Sequence, residues 1–184
     1  MATPNPETKY SMSFTSGTLL YRESLVLAAR YAELNDWTRV RSDAVDRNLL
    51  QMRTANASKR IVREVISRLR LLTPEQLDLL LTGDHQEILY VLWLAVCKRY
   101  QFIREFAVEV LHAKYNRDDL ALTHVDYDIF YNAKAEWHPE VDNVAPSTRV
   151  KGRSVVFKMM REAGLLTDDQ QIIPAILSPR LAQV

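Results

Sequence analysis

The stretch "NASKRIVREVISRLRLL", residues 56–72, admits one regular structure. At 100° per residue, Ile61, Val62, Val65, Ile66, Leu69 and Leu72 fall within an arc of about 140°, a helical period that no strand produces. Lys59, Arg60, Arg63, Ser67 and Arg70 fall on the opposite side, within about 100°. Burying the apolar stripe holds the basic one in solvent, so this chain must carry a narrow cationic face. Glu64 stands four residues from both Arg60 and Arg68, the spacing of a surface ladder Arg60–Glu64–Arg68. Such exposed pairs are weak, about 0.3–0.5 kcal/mol each, but they occupy two arginines. Lys59, Arg63, Ser67 and Arg70 have no local acidic partner.

The rest of the chain repeats the helical pattern, punctuated by start and stop signals. Leu20, Ser24, Leu27, Tyr31 and Leu34 recur at helical spacing between Thr18 and Leu34. Asp36 is placed to cap a second helix, and Thr54 or Asn56 the basic one. "TPEQ" at 73–76 predicts a capping box with Pro74 in the first helical position. Asp84 and Glu87 predict another, opening a buried helix to about Lys98. A helix is expected from Tyr100 to His112, and one from Thr123 to about Trp137 that ends in "HPEVDNVAPS". Ser147 is placed to cap a last helix ending at Gly164, although Gly152 argues for a later start. "LLTDDQQIIPAILSPRL" then predicts a small wing-like β-hairpin or an extended tail, with Pro174 confining any strand to an edge. The fold class expected is mainly α: a compact multi-helix bundle with helix-turn-helix-like pairs. It makes one compact domain over residues 1–184, or two packed lobes, 14–83 and 84–184.

Composition narrows the class. At 47% hydrophobic and 26% charged residues the chain can bury a proper core. The single cysteine, Cys97, excludes an internal disulfide and a multi-cysteine zinc site. The polar, proline-bearing opening "MATPNPETKYSMSF" predicts no secretory leader. The apolar run 88–97 holds ten residues, where a bilayer crossing needs about 20. A reduced cytoplasmic location with no membrane partner is expected.

The net charge of +1 conceals an uneven distribution. Residues 39–70 hold nine bases against three acids, a balance of +6, and residues 147–161 hold five bases and no acid. Between them, residues 71–146 carry six bases and thirteen acids, or −7. Two basic blocks around an acidic middle point to a nucleic-acid surface. In the second block Lys151, Ser154, Lys158 and Arg161 share a face of one helix from Ser147, while a later start gathers Arg149, Lys151 and Arg153 at a helix N-terminus. The candidate contacts are therefore Arg53, Lys59, Arg60, Arg63, Ser67, Arg70, Arg149, Lys151, Arg153 and Lys158. They would meet phosphates as point charges or bidentate forks.

Catalytic, metal and cofactor residues are not expected. Gly17, Gly83, Gly152 and Gly164 are too far apart for a phosphate-cradling loop. His85, His112, His124 and His138 have no zinc-ligand spacing. "WHPEVD" reads as a polar loop, and Asp118, Asp119, Asp126 and Asp128 as solvated helix ends. An enzyme is not indicated.

Three stretches together resemble the BrxA family, the A component of bacteriophage exclusion (BREX) defence systems. They are "YSMSFTSGTLLYRESLVLAARY", "NLLQMRTANASKRIVREVISRLRLLTPEQLDLL" and "RSVVFKMMREAGLL". The resemblance implies a NusB-like all-α fold and a nucleic-acid-associated accessory protein that works with other BREX proteins. It brings no assigned contact residues, so the candidates above rest on the wheel alone. Duplex DNA is favoured over RNA; an adaptor between defence proteins and a NusB-like RNA-binding regulator are the alternatives.

Overall fold

The computed structural model describes residues 10–16 and 18–184. The residues before Tyr10, read above as no leader, lie outside the described residues. The chain forms two compact units, one of Leu19–Arg99 with Ile176–Val184, the other of Tyr100–Ala175 with the residues up to Thr18. Mainly α is the class observed.

The first unit contains α1 (Tyr21–Leu34), α2 (Trp37–Asp46), α3 (Ala55–Leu69), α4 (Pro74–Thr82) and α5 (His85–Arg99). Local chemistry sets most of these boundaries. The Asp36 carboxylate accepts from the backbone N–H of Thr38 and Arg39 at 2.7 and 3.3 Å. Thr54, not Asn56, caps α3, its hydroxyl accepting from the Ala57 N–H at 3.2 Å. Thr73 and Gln76 form the expected reciprocal box at α4. Asp84 and Glu87 do the same at α5, at 2.8 and 3.0 Å. α1 starts at Tyr21 rather than Thr18, because Leu20 adopts a left-handed conformation with φ 57° that no helix continues through.

α3 packs against α1, α2 and α5, and Val62, Val65 and Leu69 are fully buried with Leu27, Val40 and Ala44. The connection from α2 to α3 spans residues 47–54, longer than the turn of three or four residues typical of a helix-turn-helix. Asn48 braces it: its side chain donates to the Met52 carbonyl at 3.0 Å and accepts from the Met52 N–H at 2.9 Å. The C-terminal segment returns to this unit, where Gln76 Nε2 donates to the Val184 carbonyl at 2.7 Å and Arg180 pairs with Asp78 at 2.9 Å.

In the second unit, α6 (Gln101–Phe106) runs through a π-helical turn at Ala107–His112 into α7 (Ala113–Tyr115). The sequence period shows one helix there and conceals the π turn. α8 (His124–Ala135) opens on a Thr123–Asp126 box. α9 (Pro139–Asp142) lies within the stretch read as a terminating loop, and His138 at its start is buried. The α10 helix (Pro146–Glu162) starts at Pro146, with Ala145 as its N-cap, instead of being capped by Ser147.

Gly152 does not delay α10, because it is where the helix meets a ring. A Cβ there would stand 3.2 Å from Phe14 Cε2 and 3.6 Å from the Tyr127 hydroxyl. Phe102 is the hub of this core, with the rings of Tyr10, Phe14, Tyr127, Phe130 and Tyr131 at 5.1–6.0 Å from its own. α10 ends as expected at Gly164, φ 70°, where Leu165 N–H donates to Met160 and Gly164 N–H to Arg161, a Schellman closure. The wing-like hairpin is reduced to two isolated antiparallel bridges, Leu166 with Ile172 and Ala121 with Gln171. Among the described residues no helix is long and apolar enough to cross a membrane.

Candidate nucleic-acid interface

α3 divides its side chains as the wheel requires, with one exception. Ile61, Val62, Val65, Ile66 and Leu69 are buried, while Lys59, Arg60, Arg63 and Arg70 are exposed, as is Arg53 just before the helix. None of these five cations has an ion-pair partner among the described residues. The exception is Arg68. It is 3% exposed, and its Nε donates to Glu64 Oε1 at 2.8 Å. The surface ladder expected from Arg60 through Glu64 to Arg68 is thus replaced by one inward pair. Arg68 follows Ile61 by seven residues, two turns, and so falls on the apolar side.

Ser67 is half-buried. Its hydroxyl donates to the Glu64 carbonyl at 2.8 Å and accepts from Arg99 Nε at 3.3 Å. That geometry spends the donor within α3, so the exposed row consists of Lys59, Arg60 and Arg63 on α3, with Arg53 before it and Arg70 at its C-cap. α2, packed on α3, adds exposed Arg39 and Arg41, which the sequence reading counted in the charge block but left out of the site.

The second basic block is arranged differently. Arg153 Nη1 donates to Asp128 Oδ2 at 2.6 Å, and Arg149 reaches Asp128 Oδ1 at 3.4 Å while lying 4.3 Å over the Tyr131 ring. Asp128 is therefore not a solvated helix end: it gathers two arginines of α10 onto α8. Lys158 stands 3.9 Å from Glu162 and Arg161 3.9 Å from Asp168. Lys151 is exposed. Of the four α10 candidates, Lys151 and Lys158 face solvent, and Arg149 and Arg153 hold the fold.

Sequence reasoning missed a partly buried polar network in the second unit. The Tyr10 hydroxyl donates to Glu105 Oε2, Gln101 donates to Glu105 Oε1 at 2.7 Å, and Lys134 Nζ reaches Glu105 at 2.6 Å and Glu109 at 2.8 Å. Burial works to raise the Glu105 carboxyl, but the hydrogen bonds from Lys134, Tyr10 and Gln101 outweigh it and hold the group below the ordinary carboxylate range. Burial and the bond to Glu105 push the Tyr10 phenol up. Burial works to lower Lys134, and its two carboxylates overcome that and raise it. The His138 ring lies against Tyr10 at 4.1 Å, tilted by 36°, and Glu140 accepts the Tyr10 N–H at 2.7 Å. "WHPEVD" thus places His138 and Val141 in the core, while Trp137 stays exposed. Among the described residues no group of three or more His, Cys, Asp or Glu could hold a metal ion.

Comparison with known proteins adds the family. The chain is 25% identical over 168 residues to the BREX protein BrxA of Bacillus cereus (strain H3081.97), covering 89% of this chain and 82% of that one. It is 25% identical over 148 residues to the BREX protein BrxA of Escherichia coli O9:H4 (strain HS), covering 80% and 70%. A crystal structure of an uncharacterized protein from Magnetospirillum magneticum matches the fold with a TM-score of 0.79 at 19% identity, covering 96% of this chain and 91% of that one. The family model named BrxA matches residues 8–184, and the chain belongs to the BrxA family.

Proposed function

We propose that this chain is a non-enzymatic, cytoplasmic accessory component of a BREX phage-defence system that binds nucleic acid through the exposed face of α3. The observation that carries this reading is the row Arg53, Lys59, Arg60, Arg63 and Arg70, exposed and without ion-pair partners among the described residues. A row of charges on a helix held on its other side by α1, α2 and α5 suits a phosphate backbone. Arginine presents a planar fork that matches phosphate bidentately, and the row holds four arginines to one lysine. Recognition is then positional rather than base-specific, with duplex DNA as the favoured ligand. The other components of the defence system are its protein partners.

Electrophoretic mobility shift with duplex DNA and single-stranded RNA in competition tests the reading. Duplex retardation that weakens steeply between about 50 and 200 mM salt is expected. Retardation unchanged in Arg63→Ala/Arg70→Ala would remove this face from the site, and preferential displacement by RNA would reassign the ligand. Nucleic acid should survive incubation with magnesium or manganese; its cleavage would contradict the non-enzymatic assignment.

A further inference from the structure

We propose that the outer face of the α8–α10 pair docks an acidic amphipathic helix of a partner protein. Three aliphatic side chains stand in solvent there: Val125 and Ile129 at 64% exposure each on α8, and Val150 at 52% on α10. The two helices are joined by Arg153 and Arg149 on Asp128 and by the His124 and Phe157 rings 5.0 Å apart. At 100° per residue Val125 lies about 60° round α8 from Asp128 and Ile129 about 40° further, and Val150 lies about 60° round α10 from Arg153. Val125 and Val150 therefore border the seam on its solvent side, with Ile129 beside Val125. An isolated exposed valine needs no explanation, but a clustered apolar patch on a braced pair of helices marks an interaction site.

Charge chooses the partner. Beyond Val150, α10 continues outward with Ser154, Lys158 and Lys151, all exposed, Lys158 standing 3.9 Å from Glu162 and Lys151 the outermost. At 100° per residue these four positions span about 100° of the helix. The seam is thus apolar with cations along its α10 border. A helix laid in it would carry an apolar stripe at i, i+3, i+4 and i+7 with Asp or Glu along one flank. α8 spans twelve residues, about 18 Å, which a partner helix of about three turns covers. Nucleic acid fits less well, because phosphate gains nothing by covering aliphatic carbon. The internal pairing of Arg149 and Arg153 fits a protein-binding face, because they brace its floor in place of facing a ligand.

The test uses the full chain and two synthetic helical peptides of about three turns. Both carry the same leucine stripe; one has Glu and the other Lys along the flank. Fluorescence anisotropy should show the acidic peptide binding and the basic one not. Amide chemical shifts should change on α8 and α10. Ile129→Ser alters an exposed side chain and should weaken binding about tenfold or more with the circular dichroism spectrum unchanged. Lys151→Glu/Lys158→Glu should transfer preference to the basic peptide. Equal binding of both peptides, shifts confined to other helices, or unchanged affinity in Ile129→Ser would overturn the proposal. So would duplex DNA displacing the acidic peptide from these residues, or a dimer of the protein alone that Ile129→Ser dissociates, which would make the occupant a second copy.

Discussion

Arg68 and Glu64 stand one turn apart on α3 and meet at 2.8 Å with the Arg68 side chain 3% exposed, so this arginine belongs to the core although it sits among solvent-facing cations. The pair separates two populations of basic residue on one helix. Arg63 and Arg70 contribute charge to solvent; Arg68 contributes to the stability of the first unit.

Arg68→Ala should therefore destabilise the protein and Arg63→Ala should not. Removing one partner from a buried pair leaves the other charge uncompensated, a cost of about 3–5 kcal/mol when both are fully enclosed. Glu64 keeps 19% exposure, which lowers the expectation to about 2–3 kcal/mol. Urea denaturation reads the difference. Arg63→Ala should fall within about 0.5 kcal/mol of the parent protein while losing nucleic-acid affinity. The converse pattern would mean the two roles are exchanged.

Gly152→Ala should destabilise the second unit even though alanine favours a helix by about 1 kcal/mol over glycine. The added Cβ would lie 3.2 Å from Phe14 Cε2. Phe14 is 1% exposed and packs on Tyr100 at 5.6 Å and Phe102 at 6.0 Å, so yielding would disturb that ring packing. Overpacking of this kind costs about 1–3 kcal/mol. A lowered Tm in thermal denaturation is the expected result, and a raised one would place slack in the aromatic core.

Acid should unfold the second unit through Glu105. Its carboxyl is held below the ordinary range, burial opposing and the bonds from Lys134, Tyr10 and Gln101 prevailing. A group with a lowered folded value contributes stability that is complete above its unfolded value, about 4.3, and is lost as pH falls through the folded one. Stability measured against pH should accordingly drop below about pH 4. Glu105→Gln should flatten that drop while lowering stability at neutral pH. An unchanged acid limb would assign the drop to other carboxylates, such as Asp126 or Glu140, whose values are also lowered against the pull of burial.

Local chemistry was legible in the sequence, and long-range pairing was not. The caps at Asp36, Thr73, Asp84 and Thr123 each involve residues within three positions, and all formed. The burial of Arg68 was readable from its place on the wheel, but its charge argued for solvent and the Glu64 partner was assigned to the surface. Asp128 lies 25 residues from Arg153, and Tyr10 lies 95 from Glu105, so no periodicity could join them. Gly152 misled because helix propensity prices a missing side chain and not the ring that occupies its space. The π turn leaves no trace in the apolar spacing of "QFIREFAVEVLH".

The central claim is that the α3 row neutralises phosphates, and the salt dependence of duplex binding tests it most directly. Five contacts predict a plot of log affinity against log salt with a slope of about −4.5. Lys59→Ala/Arg63→Ala/Arg70→Ala should reduce it to about −2, with weaker binding to every duplex sequence alike. The same slope in the parent and the triple variant, or no duplex binding at low salt, would contradict the account.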